Sequence, residues 1–238
     1  MGGLKIKGQT IELARVESNS FANGPNDGLL GLGFDPVTTA DGIQTPINNL
    51  ISRGLISSPV FGVFLGKASR SGRGEYIFGG YDSSKFTGSL KYAPIDNSDG
   101  YWSIAVDGLS AGGSRVARSF SDILDTGAIL LLLTDSFADA VANAIADAVA
   151  YGAIDDGDGT YLIDCDNSNF GLIVFNIDGT TFQVPAEDLV FEDDGNVCYA
   201  SFGKGGLRFA LLDYTFLKNN YVVFNQEVPE VQIAPTRY

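Results

Sequence analysis

Apolar and polar residues alternate along much of this 238-residue chain, in short runs cut by Gly, Asp and Asn. A two-residue period belongs to strands with one buried face. It predicts strands over Leu4 to Ala14, Val60 to Leu65, Glu75 to Phe78, Tyr101 to Val106, Gly171 to Ile177, Tyr221 to Asn225 and Val231 to Ala234. Asp178-Gly179 and Asp158-Gly159 are hairpin signals, since the tight turns between antiparallel strands need residues that tolerate positive φ. The fold class is therefore all-β, mainly strands with a few short helices.

Helical periodicity is confined to three places. Thr45-Pro46 precedes Ile47, Leu50 and Ile51, and Gly54 follows, which puts N-cap, first-turn and C-terminal residues in order. Between Ser136 and Ala150, the residues Phe137, Val141, Ile145 and Val149 recur every fourth position on one face. Ser136 and Asp139 read as a capping-box start. A last short turn is predicted near Thr215.

Composition narrows the chemistry. Hydrophobic residues make up 45% and charged ones 18%, with 30 Gly, which suits a turn-rich chain with one large core or two modest domains. Twenty-nine acidic residues against 15 basic give a net charge of -14. Such a surface disfavours nucleic acid and anionic membrane as partners and suits an acidic medium, where protonation brings the charge toward zero. There is no histidine. Ser-His and Cys-His nucleophile pairs and imidazole zinc sites are thereby excluded, and acid–base chemistry falls to carboxylates and water.

Cys165 and Cys198 are the sole cysteines. Their even count suggests one disulfide and an oxidising compartment, with two buried thiols as the alternative. No CxxC pair occurs, and Asp155-Asp156-Gly157-Asp158-Gly159 lacks the register and terminal Glu of a calcium loop. It reads as a hairpin turn, so no metal site and no cofactor are expected. The sequence shows neither a signal peptide nor an apolar run long enough to span a membrane.

The strongest chemical signal is Leu124-Asp125-Thr126-Gly127, with Phe120 and Ile123 before it and Ile129 to Leu133 behind. An aspartate set between two apolar strands is expensive unless its carboxyl is hydrogen-bonded or protonated. A structural turn is the bland reading and a catalytic loop the sharp one.

The wider set of motifs decides between them. Asp27-Gly-Leu-Leu-Gly-Leu-Gly33, Phe78-Gly-Gly-Tyr-Asp82, Leu124-Asp-Thr-Gly127, the Cys165/Cys198 spacing and Thr215-Phe-Leu-Lys-Asn-Asn-Tyr-Val-Val-Phe224 occur in one order over nearly the whole chain. Together they resemble the pepsin-like aspartic endopeptidases, in wording nearest the secreted fungal acid proteases. The resemblance implies a pepsin-like acid protease fold, here a complete C-terminal lobe with a truncated N-terminal lobe. Residues 1–88 would be the remainder of the N-terminal lobe with inter-lobe strands, and 89–238 the C-terminal lobe. It also implies secretion, peptide or protein substrates and sensitivity to pepstatin.

In that family two aspartates share a water and a proton. One acts as general base on the water and the other as acid toward the carbonyl oxygen. Two close carboxyls split their titrations and work at acid pH. Asp125 matches the C-lobe aspartate. Thr126 matches the threonine whose hydroxyl ties the two catalytic loops together. Gly127 matches the glycine that meets both the loop and the substrate backbone, and Gly127, Ala128 and Ile129 are the implied substrate contacts.

Three departures temper this. There is one Asp-Thr-Gly, where the family uses two, and no flap tyrosine is recognisable. Exposed apolar surface is expected around Leu29-Leu30-Gly31, and with it a homodimer or a complementing N-lobe fragment. Ala128 stands where the family usually has a Thr or Ser that donates to the aspartate. Asp213-Tyr214 stands where the family has Gly-Asp, and a charged side chain there is expected to displace the backbone beneath Asp125. Two functions follow: an aspartic endopeptidase whose second aspartate arrives in trans, or a silent relative that binds peptide or pairs with a protease.

Overall fold

The computed structural model describes residues 2–24, 26–39, 42–70, 72–146, 154–195 and 197–238. The predicted β-rich architecture is present. Ten strands form one sheet in the order Phe202–Lys204, Leu131–Leu133, Ala210–Leu212, Phe120–Leu124, Ser103–Val106, Lys91–Asp96, Glu230–Pro235, Asn220–Asn225, Val60–Phe64 and Glu75–Phe78. Two four-stranded sheets complete it. One runs Thr180–Val184, Ile173–Ile177, Gly108–Ala111 and Ser114–Ala117, and the other Val190–Asp193, Cys198–Ala200, Tyr161–Ile163 and Ile154–Asp155.

The hairpin signals lie where the strands reverse. Asp178 and Gly179 both have positive φ, 46° and 70°, and join Ile173–Ile177 to Thr180–Val184. Asp155 to Gly159 turns between Ile154–Asp155 and Tyr161–Ile163, and the Asp156 amide donates to the Thr160 carbonyl at 3.1 Å.

The helix predicted after Thr45 spans Pro46–Ser52. The Thr45 hydroxyl accepts from the Asn48 amide, and Gly54 leaves in the left-handed region. The last turn is Tyr214–Leu217. The third helix spans Asp135–Ala146, and the predicted residues 147–150, Val149 among them, lie outside the described residues. It starts one residue before the expected capping box, with the Ala138 amide donating to the Thr134 carbonyl. Asp139 does not cap it. Its carboxylate instead accepts from the Tyr161 hydroxyl at 2.6 Å and meets Lys204 at 2.9 Å.

One strand expectation fails. Residues 4–14 form turns and extended chain with no ladder, and Ile11 and Leu13 are 76% and 87% exposed. Alternation makes a strand only where a second edge supplies the missing hydrogen bonds. Here the stretch is held by side chains, with Gln9 Nε2 donating to the Gln44 carbonyl and Asn49 Nδ2 donating to Gln9 Oε1.

An aromatic cluster joins one end of the large sheet to its middle. Phe61 stacks on Phe224 with centroids 4.7 Å apart and packs edge-on to Trp102. Cys165 and Cys198 are joined as the expected disulfide, with Cα atoms 5.2 Å apart. A cross-link of that span contributes about 3–4 kcal/mol on the chain-entropy account.

A buried ion cluster ties the turn after Val60–Phe64 to the opposite half. Lys67 meets Asp188 at 2.5 Å, and Lys218 meets its other oxygen at 3.2 Å. Burial alone would raise Asp188, but the two ammonium groups outweigh it and hold the carboxyl below its ordinary range.

Candidate active site

Asp125 sits on the loop leaving Phe120–Leu124, and three backbone bonds fix that loop. The Leu124 amide donates to the Trp102 carbonyl at 3.1 Å, the Asp125 amide to the Leu212 carbonyl at 3.0 Å, and the Tyr214 amide to the Ala128 carbonyl at 3.4 Å. Phe120–Leu124 and Ala210–Leu212 run parallel, with Leu124 opposite Leu212. Parallel strands lead out of the sheet at the same end, so both deliver their next residues, Asp125 and Asp213, to one place.

Within the loop, the Gly127 amide donates to Asp125 Oδ1 at 2.8 Å. A Cβ at position 127 would lie 3.2 Å from that oxygen, tighter than ordinary packing, which accounts for glycine there. Asp125, Thr126 and Ala128 are half-buried, and Ile129 is 56% exposed. The Ile129 carbonyl accepts from the Thr215 hydroxyl at 3.3 Å, and that hydroxyl also reaches the Ser201 carbonyl at 3.0 Å.

Asp125 and Thr126 border an open cavity of about 940 Å³. Residues 4–12 form one wall, Leu29 to Gly33 a second, and Trp102, Ile123 and Leu124 the side that carries Asp125. The lining is largely aliphatic and aromatic, and Asp125 and Glu12 are its carboxyl groups. The apolar surface expected around Leu29-Leu30-Gly31 is there, with Leu29 76% and Leu30 49% exposed. Trp102 is core with one polar tie, its Nε1 donating to the Leu32 carbonyl at 2.9 Å.

Asp213 corrects an expectation. It is fully buried, yet the strand pairing beside it persists and its φ is -109°, open to any residue. Its Oδ1 accepts from the Thr215 amide at 3.1 Å, so it caps the turn Tyr214–Leu217 and does not push the chain aside. Burial raises its pKa to about 8, against the Thr215 amide, and the charge of Asp125 adds to the rise.

Sequence reasoning missed Asp122, which is fully buried on the loop-bearing strand. The signal was available. Asp122 shares a strand face with the buried Leu124, two residues on, where the alternation calls for an apolar side chain.

Comparison with known proteins agrees with this geometry. The family model described as eukaryotic aspartyl protease matches residues 1–236. Rhizopuspepsin-2 of Rhizopus niveus is 61% identical over 235 residues, covering 99% of this chain and 59% of the relative. Rhizopuspepsin of Rhizopus chinensis is 63% identical over 235 residues, covering 99% of this chain and 58% of the relative. Syncephapepsin of Syncephalastrum racemosum is 52% identical over 237 residues, covering all of this chain and 58% of the relative. The chain thus spans somewhat under three-fifths of the length of the relatives it matches.

Proposed function

Because this chain belongs to the eukaryotic aspartyl protease family, we propose that it is half of a pepsin-like aspartic endopeptidase site. In this reading Asp125 supplies one of the two carboxyls between which a water is activated. One takes a proton from the water and the other gives a proton to the substrate carbonyl. The observation that carries it is Asp125 itself, hung from two parallel strands at the edge of an apolar cavity that extends past it.

The roles follow the same reading. Thr126 ties this loop to its counterpart, and Gly127, Ala128 and Ile129 meet the substrate backbone. Residues 1–88 belong to the N-terminal lobe and 89–238 to the C-terminal lobe. Both four-stranded sheets lie after residue 89, which supports the division. The disulfide and the acidic surface fit a protein working outside the cell in an acid medium.

Residues 1–238 carry one Asp-Thr-Gly, and in this reading the second carboxyl is seated across the cavity by an N-lobe segment or a second copy. With that partner, the chain should cleave a denatured protein at about pH 4, pepstatin should stop the cleavage, and Asp125→Asn should lower it by about 10⁴-fold or more. Unchanged acid cleavage by Asp125→Asn would sink the proposal.

The exposed apolar rim at Leu29 and Leu30 favours a second reading, in which the chain binds extended peptide or pairs with a protease without turnover. Saturable binding without cleavage, in the presence of a complementing half, would select it.

A further inference from the structure

The strands that carry the loop hold two further carboxyls to which the proposed cleavage assigns no proton transfer. Asp122 faces Ala210 across the parallel pair, three residues before Asp125. Asp213 follows Leu212, whose carbonyl holds the Asp125 amide. Both are 0% exposed.

Each repeats the same incomplete arrangement. Asp122 Oδ1 accepts from the Ile123 amide at 2.8 Å, and Asp213 Oδ1 accepts from the Thr215 amide at 3.1 Å. In each the other oxygen, Oδ2, is buried and makes no hydrogen bond of normal geometry among the described residues, although the backbone amides of Leu212 and Leu132 act on Asp122 and Asp213 and oppose the effect of burial. An ionised carboxylate with one bare buried oxygen is strongly disfavoured. A neutral carboxylic acid carries its proton on that oxygen and removes most of the penalty.

We infer that Asp122 and Asp213 are a proton-holding pair beneath the Asp125 loop, and that neutral Asp213 positions that loop. The inference rests on Asp125 being a catalytic half-site.

Of the groups facing the pair, only Lys218 carries an opposite charge, and it acts on Asp213 alone. The loop brings Asp125, which is a like charge. The turn Tyr214–Leu217 brings the Thr215 amide, while the Tyr214 phenol donates away to the Gly66 carbonyl, and just beyond the turn stands Lys218. The Lys218 ammonium is engaged by Asp188 at 3.2 Å, in the cluster that also holds Lys67. Strands Leu131–Leu133 and Ala210–Leu212 bring only aliphatic side chains.

The titrations run the same way as the geometry. Burial drives Asp122 well above the carboxylate range, against the Ile123 amide, and Asp213 adds to the rise. Asp213 stands at about 8, for the reasons given above. A carboxyl raised on folding contributes stability in full below its unfolded value, about 4, and loses it as pH climbs through the folded one. The pair is therefore intact in acid. Asp213 becomes a source of repulsion under Asp125 as pH approaches about 8.

The test compares the wild-type chain with Asp213→Asn, Asp122→Asn and the double variant by thermal melting across pH. Wild type should lose melting temperature steadily from about pH 4 to pH 8. Asp213→Asn should match it in acid and melt several degrees higher at the alkaline end. Amide resonances of Thr126 and Gly127 should shift near pH 8 in wild type and hold still in Asp213→Asn.

Infrared spectra of wild type at neutral pH should show a protonated-carboxyl band. This readout stands even if the variants fail to fold. Superimposable melting curves, or no such band, would overturn the inference. None of these measurements reads proteolysis, so their failure leaves the assignment of Asp125 untouched, and a failed cleavage assay leaves the proton-holding pair untouched.

Discussion

Residues 4–14 and the strand Ile173–Ile177 carry the same alternation of apolar and polar side chains, and they end in opposite states. Ile173, Phe175 and Ile177 are buried, because Gly108–Ala111 pairs on one side and Thr180–Val184 on the other. Residues 4–14 have no partner strand among the described residues. Leu4 and Ile6 rest against the core, while Ile11 and Leu13 stay in solvent. The pattern states which face would be buried. Whether anything buries it depends on an edge elsewhere in the assembly.

Three substitutions sharpen the contrast. The largest effect is expected at Asp188, whose loss leaves the buried Lys218 without its counter-charge and Lys67 with only the exposed Glu187 at 3.7 Å. Asp188→Ala should lower the unfolding free energy by about 3–5 kcal/mol, the range for a broken buried pair, as read by urea denaturation. Its pH signature is opposite to that of Asp213. A carboxyl held down by cations contributes stability above its unfolded value, about 4, and loses it as pH falls below that.

Phe175→Ala comes next, at about 3–5 kcal/mol, since the ring is fully buried and packs edge-on against Phe216 at 5.5 Å. Leu13→Ser should change the stability of the lone chain by no more than about 0.5 kcal/mol. A multi-kcal/mol loss at Leu13 would break the comparison, because it would show that residues 4–14 already contribute to the core.

Much of the framework is legible in the sequence alone. Asp178-Gly179 and Thr45-Pro46 announce their turn and helix because their conformations are set by one or two residues. Asp125-Thr126-Gly127 is legible for the same reason, as its hydrogen bond is local, from Gly127 to Asp125. What escapes such reading depends on distance along the chain. Lys67 and Asp188 are 121 residues apart, so nothing in either neighbourhood announces the pair. Asp213 is misjudged when its burial is weighed without the Thr215 amide that receives it. Asp122 is legible in principle, as a lone polar residue on an apolar strand face, and the motif three residues on draws attention away from it.

The central proposal is that Asp125 is one half of a site completed by a second carboxyl across the cavity. The direct measurement is acid proteolysis by size-separated fractions of the pure chain at about pH 4, with and without a separately supplied N-lobe fragment. The monomer alone is predicted to be silent. Pepstatin-sensitive cleavage should appear only with a self-associated form or the added fragment, and vanish in Asp125→Asn. Turnover by the monomer itself would contradict the claim.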